Sequence, residues 1–294
     1  MSTELAIANE RGQSMAELMG VSSAPSQEYT PSISRLKLQQ MQPIMGEVEL
    51  NGKMVKTETI PIGSFKLETG DETVYSDTAT VRIFAQRWQY QRFNTETGEM
   101  EKTVLVNSTN GDMKDNLGGF NLGRPKAGYI SSEEYNAYPA EVQDIIKSVN
   151  IFRIYYGTLT MDNPINDKGE KVAAVEAVPF VFDVKNADSK KSMNAVLGTL
   201  KKKNMLPIMS TIKLKGTTGT NAGGGVYGKF TASLGDAVEL ISSDNDTLKD
   251  FLELIEYSNG KILDLHHERA NIDTAADAKL VEDILNNDFV EVAE

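Results

Sequence analysis

The sequence predicts a mainly β protein with peripheral helices, an α+β fold. From Ser34 onwards, short apolar or alternating runs are separated by turn residues such as Asn51-Gly52 and Gly70-Asp71, a pattern typical of antiparallel hairpins. Only a few segments show the apolar period of an amphipathic helix, and they flank those runs. With 294 residues, the chain is long enough to bury a sizeable core without a disulfide or metal.

The chain divides by composition into four segments. Residues 1–32 are rich in Ser, Ala, Glu and Gln and end in a stretch broken by two prolines, which predicts a flexible arm. Residues 33–235 hold the predicted strands and form the core. Residues 236–281 predict an acidic helical extension, and residues 282–294 an acidic tail.

Within the core, strands are predicted over 34–106 and in IFRIYYGTLTM, VAAVEAVPFVFDV, IMSTIKLKG and GVYGKFTASLG. Residues 110–129 contain five glycines without a helix or strand period, and we expect a long loop there.

Three main helices are predicted. The first covers 188–204, because Met193, Val196, Leu197 and Leu200 repeat at helical spacing. Two acidic helices follow Asp236, and the first of them is expected to stop at Gly260.

The charge is distributed unevenly along the chain. The net charge is −12, but residues 1–30 carry −3, residues 31–230 carry +3 and residues 231–294 carry −12. Between residues 186 and 229 there are eight lysines and one acid. A local field of this kind attracts phosphates, although a solvated helix face is the alternative interpretation. The lysines expected to contact nucleic acid are Lys190, Lys191, Lys201, Lys202, Lys203, Lys213 and Lys215.

Aromatic and cationic side chains alternate in VRIFAQRWQYQRF, residues 81–93, which contains the chain's single tryptophan. If Val81, Ile83 and Ala85 face the core, counting by twos places three aromatics and two arginines on the outer face, namely Phe84, Trp88, Tyr90, Arg82 and Arg92. Such a surface would stack unpaired bases, whereas in a sandwich or barrel the same aromatics would be core and the arginines would pair with acids. The candidate residues of this strand and of IFRIYY are Arg82, Phe84, Arg87, Trp88, Tyr90, Arg92, Arg153 and Tyr156.

Signals for an enzyme are poor. Cysteine is absent, and the two histidines, His266 and His267, are adjacent, so they cannot share one helix face as a zinc-binding pair would. The segment from Gly223 to Lys229 has the spacing of a phosphate-binding loop, but Phe230 replaces the required Ser or Thr. We therefore expect no catalysis, no cofactor and no metal.

The order of strands, Gly-rich loop, lysine-bearing helix and acidic tail resembles the OB-fold single-stranded DNA-binding proteins of bacteriophages. The resemblance covers about residues 34–234 and the tail, and it implies an OB-fold-like antiparallel barrel with insertions. It also implies that the tail recruits replication or recombination enzymes. The residues to which this partner-binding role is assigned are Asp283, Asp288, Phe289, Glu291 and Glu294.

The sequence-based hypothesis is a non-catalytic protein that coats unpaired DNA during phage replication and recombination. A virion structural or assembly protein with a β core is the main alternative, and a recombination annealing protein is a third. No apolar run approaches the ~20 residues of a membrane span and no signal peptide is recognisable, so we expect a cytoplasmic protein.

Overall fold

The computed structural model describes residues 33–50, 53–70 and 72–287, and the side chains of 48–50 and 271–287 are outside that description. The predicted arm, the end of the predicted tail and the side chains of Asp283, Asp288, Phe289, Glu291 and Glu294 therefore lie outside the described part. The strands are β1 (Ser34–Leu38), β2 (Ile44–Leu50), β3 (Lys53–Ile60), β4 (Phe65–Thr69), β5 (Glu72–Ser76), β6 (Thr78–Phe93), β7 (Met100–Lys102), β8 (Asn150–Met161), β9 (Val175–Val184), β10 (Ser210–Thr220) and β11 (Val226–Ala237). The helices are α1 (Ser132–Ala137), α2 (Ala140–Ser148), α3 (Ala187–Lys202) and α4 (Ser242–Asn287).

A nine-stranded mixed sheet dominates the fold. Its order is β11-β10-β6-β8-β9-β1-β4-β5, and β7 pairs with the end of β6. All pairs are antiparallel except β1 with β9. Strands β2 and β3 form a separate hairpin. The prediction of a mainly β fold with peripheral helices is thus confirmed.

The sheet curls strongly, because β5 lies at one edge and β6 in the middle while only Asp77 separates them. The backbone carbonyl of Asp77 accepts a hydrogen bond from the Gly216 amide of β10 (2.8 Å). Close by, a Cβ at Gly216 would lie 2.0 Å from the carbonyl oxygen of Gly63, so this crossing requires glycine. The curl brings the rings of Phe65, Phe182 and Phe230 together in the main core, with centroids 5.4 to 6.3 Å apart.

Helix α3 covers the outer edge of β11. Its Ser189 and Ser192 hydroxyls accept hydrogen bonds from the backbone amides of Phe230 (3.1 Å) and Ala232 (2.8 Å). Side chains of a helix thus satisfy the donors that a neighbouring strand would otherwise take. Within the described residues the sheet does not close into a barrel, so the closed barrel expected from the resemblance is not formed.

The C-terminal extension is one helix, α4, of 46 residues, and the prediction of two helices separated at Gly260 is wrong. The reason lies in Asn259, whose carboxamide accepts from the Leu105 amide (2.6 Å) and donates to the Leu105 carbonyl (3.1 Å). Asparagine often lies at the end of a helix, but Asn259 instead forms hydrogen bonds with the backbone of Leu105. Phe251 and Ile255 bury the same helix face against the sheet. No described helix is long and apolar enough to cross a membrane.

Candidate nucleic-acid interface

Strand β6 carries a bulge that changes the predicted alternation of its side chains. Ile83 pairs with Gly157 of β8, but Ala85 pairs with the next residue back, Tyr156, so that Phe84 is extra. Gly157 permits this crossing, since a Cβ there would lie 2.0 Å from the carbonyl oxygen of Arg82. The bulge makes Phe84 and Ala85 contribute to the same cluster beneath α4. The prediction of strict alternation through residues 81–93 is therefore wrong.

Three of the four aromatic candidates pack against other parts of the protein, Tyr90 and Tyr156 being buried and Phe84 partly buried. Tyr90 is fully buried, and its hydroxyl accepts a hydrogen bond from the Gly128 amide (2.6 Å). Phe84 and Tyr156 pack against Phe251 of α4, with ring centroids 5.7 and 6.1 Å away. Burial also raises the pKa of Tyr156. The predicted base-stacking role of these three side chains must be corrected, because neighbouring elements cover their rings.

Two of the predicted phosphate-binding arginines are paired with acids. Both guanidinium η nitrogens of Arg82 donate to the Asp244 carboxylate (2.7 Å each), and its Nε donates to the Ile208 carbonyl (2.6 Å). Arg92 pairs with Glu101, which is buried. These two arginines hold elements together, as the alternative interpretation of the strand proposed. Arg87 donates to the carbonyl oxygen of Gln86 (2.9 Å) and is half-buried.

Arg153 differs from these arginines because no carboxylate among the described residues pairs with it. Its guanidinium carbon lies 4.3 Å from the ring centroid of Trp88, its cross-strand neighbour. The Nε of Arg153 is buried without a hydrogen-bond partner, and so is Oε1 of Gln86 on the same strand as Trp88. Burial lowers the pKa of Arg153, yet a guanidinium stays charged at neutral pH. Tyr155 of β8 pairs with Gln86 of β6. Burial raises the pKa of Tyr155 to about 12.

An open groove of about 530 Å³ lies over Gln86 and Arg153. Its floor includes Gln86 and Arg153, and the described side chains around it come from α3 and the segment that follows. The residues lining the walls are Asn194, Leu197, Gly198, Lys201, Asn204, Met205, Leu206 and Pro207. The groove exists because α3 buries Met193, Val196 and Leu200 in the main core and leaves its neighbouring face over β6 and β8 uncovered.

The predicted lysines are mostly exposed along α3 and β10. Those exposed without an acid partner among the described side chains are Lys191, Lys201, Lys202, Lys203 and Lys215. Lys190 is different, because its Nζ donates to the Ile151 carbonyl (2.9 Å) and burial lowers its pKa. Lys213 approaches Asp236 at 3.8 Å on the surface. Of the predicted cations, Arg153 and Lys201 are the two that meet in the groove.

A second groove, of about 630 Å³, opens where β1 and β9 diverge. Its walls are mainly apolar, and Arg35, Lys37 and Lys185 are among the residues that line it. Asp183 is also part of the lining, and Lys37 is paired with Glu68 (2.6 Å). Glu68 also pairs with Lys66 (2.8 Å), so the second groove keeps part of its positive charge and differs from the first groove in having an acid, Asp183, in its lining.

Sequence reasoning did not single out the carboxamides of the first groove. Gln86, Asn194 and Asn204 have no spacing that marks a site, and they meet only because α3 crosses the sheet at this point. Among the side chains that the structure describes, no group of three or more His, Asp or Glu could hold a metal ion. Comparisons with protein-family models, curated proteins and solved structures gave no match.

Proposed function

We propose that the protein binds single-stranded DNA, without catalysis, through the groove over Arg153 and the exposed lysines beside it. The observation that carries the proposal is the Arg153 guanidinium, held on Trp88 at 4.3 Å and unpaired by any described carboxylate. A guanidinium fixed in this way is suited to a phosphate, which it can bind through two parallel hydrogen bonds.

The surroundings of Arg153 support a polyanion rather than an isolated anion. Lys201 borders the same groove, and Lys202 and Lys203 continue the exposed charge at the end of α3. A row of cations without nearby acids matches a phosphate backbone. Apolar groove residues such as Leu197 and Leu206 favour an unpaired strand, because bases in a duplex are already stacked.

Trp88 has a different role in this proposal from the one predicted. Its ring supports Arg153 through a cation–π contact and positions the guanidinium, so it is not the surface on which a base stacks. The acidic tail extends the proposal: residues 282–294 carry −5 and would recruit basic partners of replication or recombination.

Oligo-dT binding measured across a salt series tests the proposal. We expect the affinity to fall steeply with salt, by about 0.7 log units per log unit of salt for each phosphate neutralised. Arg153→Met keeps an unbranched side chain over Trp88 and removes the charge. It should reduce that slope by about 0.7 and weaken binding on the order of tenfold at low salt.

Lys249→Met is the matched control, because Lys249 is an exposed cation on α4 that pairs with Asp246 at 3.4 Å. It changes the net charge equally, so it should leave the slope unchanged. Absence of oligo-dT binding at low salt refutes the proposed function. Equal effects of the two variants would show that the groove is not the contact.

A further inference from the structure

The walls of the groove differ from what a phosphate alone requires. One part is apolar, formed by Leu197, Met205, Leu206 and Pro207, and another carries the carboxamides of Gln86, Asn194 and Asn204. Leu206 is 60 % exposed and lines the same groove as the other three apolar residues. A ligand with a flat apolar face and a polar edge would satisfy both parts.

From this combination we infer that the groove seats one unstacked nucleobase, in addition to the phosphates bound by Arg153 and Lys201. The inference rests on the proposed function and makes it more specific. Carboxamides supply both donors and acceptors, and these are the groups that bind the hydrogen-bonding edge of an extruded base. The volume of about 530 Å³ lies within the range of small-ligand pockets, roughly 300–1,000 Å³.

The floor of the groove contains a donor and an acceptor without protein partners. The Nε of Arg153 and Oε1 of Gln86 are both buried and make no hydrogen bond. Unsatisfied buried polar atoms are costly in a folded protein, and these two lie beneath the floor of the groove, closed to solvent. A base edge or its linked phosphate would supply the missing partners only after the Arg153 and Gln86 side chains shift towards the groove.

The wall opposite the floor is fixed before any ligand binds. Asn204 ends α3 in the left-handed conformation (φ 54°), and the Met205 amide donates back to the Leu200 carbonyl (3.0 Å). Leu206 then caps a short 3₁₀ turn that begins at Pro207. Ile208, in that turn, accepts the hydrogen bond from Arg82. A preorganised wall reduces the entropy that base binding would otherwise cost.

Gly198 offers a way to fill the groove without changing its charge. It lies within α3 and lines the groove, and a Cβ at this position would meet nothing within 4 Å. Gly198→Leu should therefore occupy the base position while raising helix propensity. Ala195→Leu is the matched control, because Ala195 is exposed on the same helix and does not line the groove. Asn194→Leu is a second groove variant.

The experiment compares oligo-dT with an abasic phosphodiester oligomer of equal length, which keeps the phosphates and lacks the bases. We expect the wild type to prefer oligo-dT roughly fivefold to a hundredfold. Gly198→Leu and Asn194→Leu should lose most of that preference and leave binding of the abasic oligomer unchanged, and Ala195→Leu should retain it.

Two results overturn the inference and leave the proposed function intact. In one, the wild type binds both oligomers equally, so that only phosphates are recognised. In the other, both groove variants keep the full preference, so that bases bind elsewhere. If neither oligomer binds the wild type at low salt, the proposed function itself fails.

Discussion

The ion pair between Arg82 and Asp244 fastens the start of α4 to the sheet, and Asp244→Asn tests how much it contributes. Both carboxylate oxygens accept from the guanidinium at 2.7 Å, and one of them also accepts from the Ile241 amide (2.9 Å). The substitution keeps the shape of the side chain and removes its charge. Arg82 would then remain a buried cation without a counter-charge.

The expected loss follows from the burial of the pair. The exposed fractions of the two side chains are 15 % for Arg82 and 8 % for Asp244. Removing one partner of a buried pair costs about 3–5 kcal/mol, and the remaining access to water places this pair near the lower limit. We expect the free energy of unfolding to fall by about 3 kcal/mol, a large part of the roughly 5–15 kcal/mol of a typical domain.

Urea unfolding at several pH values measures this loss. Hydrogen bonds from Arg82 lower the pKa of Asp244 below its ordinary value. The stabilisation is therefore complete above the ordinary aspartate pKa of about 4 and disappears as the pH falls through the lower folded-state value. The difference between wild type and Asp244→Asn should accordingly shrink in acid.

Asp246→Asn is the control, because Asp246 lies on the same helix, is 76 % exposed and pairs with Lys249 at 3.4 Å. An exposed pair of this kind contributes about 0–1 kcal/mol. The reasoning is refuted if the two variants lose similar amounts, or if the loss for Asp244→Asn is the same at acid and neutral pH.

Two further stability predictions use the same unfolding assay. Asn259→Leu leaves the amide and the carbonyl of Leu105 without their hydrogen-bond partners. It should lower the free energy of unfolding by about 2–4 kcal/mol. A loss under about 1 kcal/mol would mean that water replaces the carboxamide. Tyr90→Phe removes the acceptor of the Gly128 amide and keeps the Arg124 guanidinium 4.6 Å from the ring centroid. We expect the free energy of unfolding to fall by about 1–2 kcal/mol. An unchanged urea midpoint would contradict this expectation.

The strands and α3 were predictable because their signals are local. The stretch 81–93 lies within β6, and the stripe of Met193, Val196 and Leu200 is buried as its spacing predicts. The continuity of α4 was not predictable in this way. Asn259 followed by Gly260 indicates a helix end, and only the distant Leu105 backbone explains why the helix continues.

The side of β6 that faces the groove was harder to predict, because a single bulge at Phe84 reverses the side on which every later residue lies. With strict alternation, Trp88 would share a face with Arg82. In the structure Arg82 reaches α4, and Trp88 contacts Arg153 beside the groove. Nothing within residues 81–93 marks the bulge, since it depends on Gly157 in the neighbouring strand. Predicting which residues of such a strand face a site therefore requires the pairing register of the neighbouring strand.

The arginines of this sheet fall into two groups, those that pair with a buried carboxylate and Arg153, which does not. The two groups should respond differently to substitution. Arg82 and Arg92 each have a buried carboxylate, so their removal should destabilise the fold. Arg153 has no carboxylate partner among the described residues, lies against the Trp88 ring and near Tyr155, and undergoes a desolvation that lowers its pKa. A charge kept at such a cost contributes little to stability. Arg153→Met should therefore unfold at the same or a higher urea concentration than the wild type while binding DNA more weakly, the opposite of what a purely structural arginine would show.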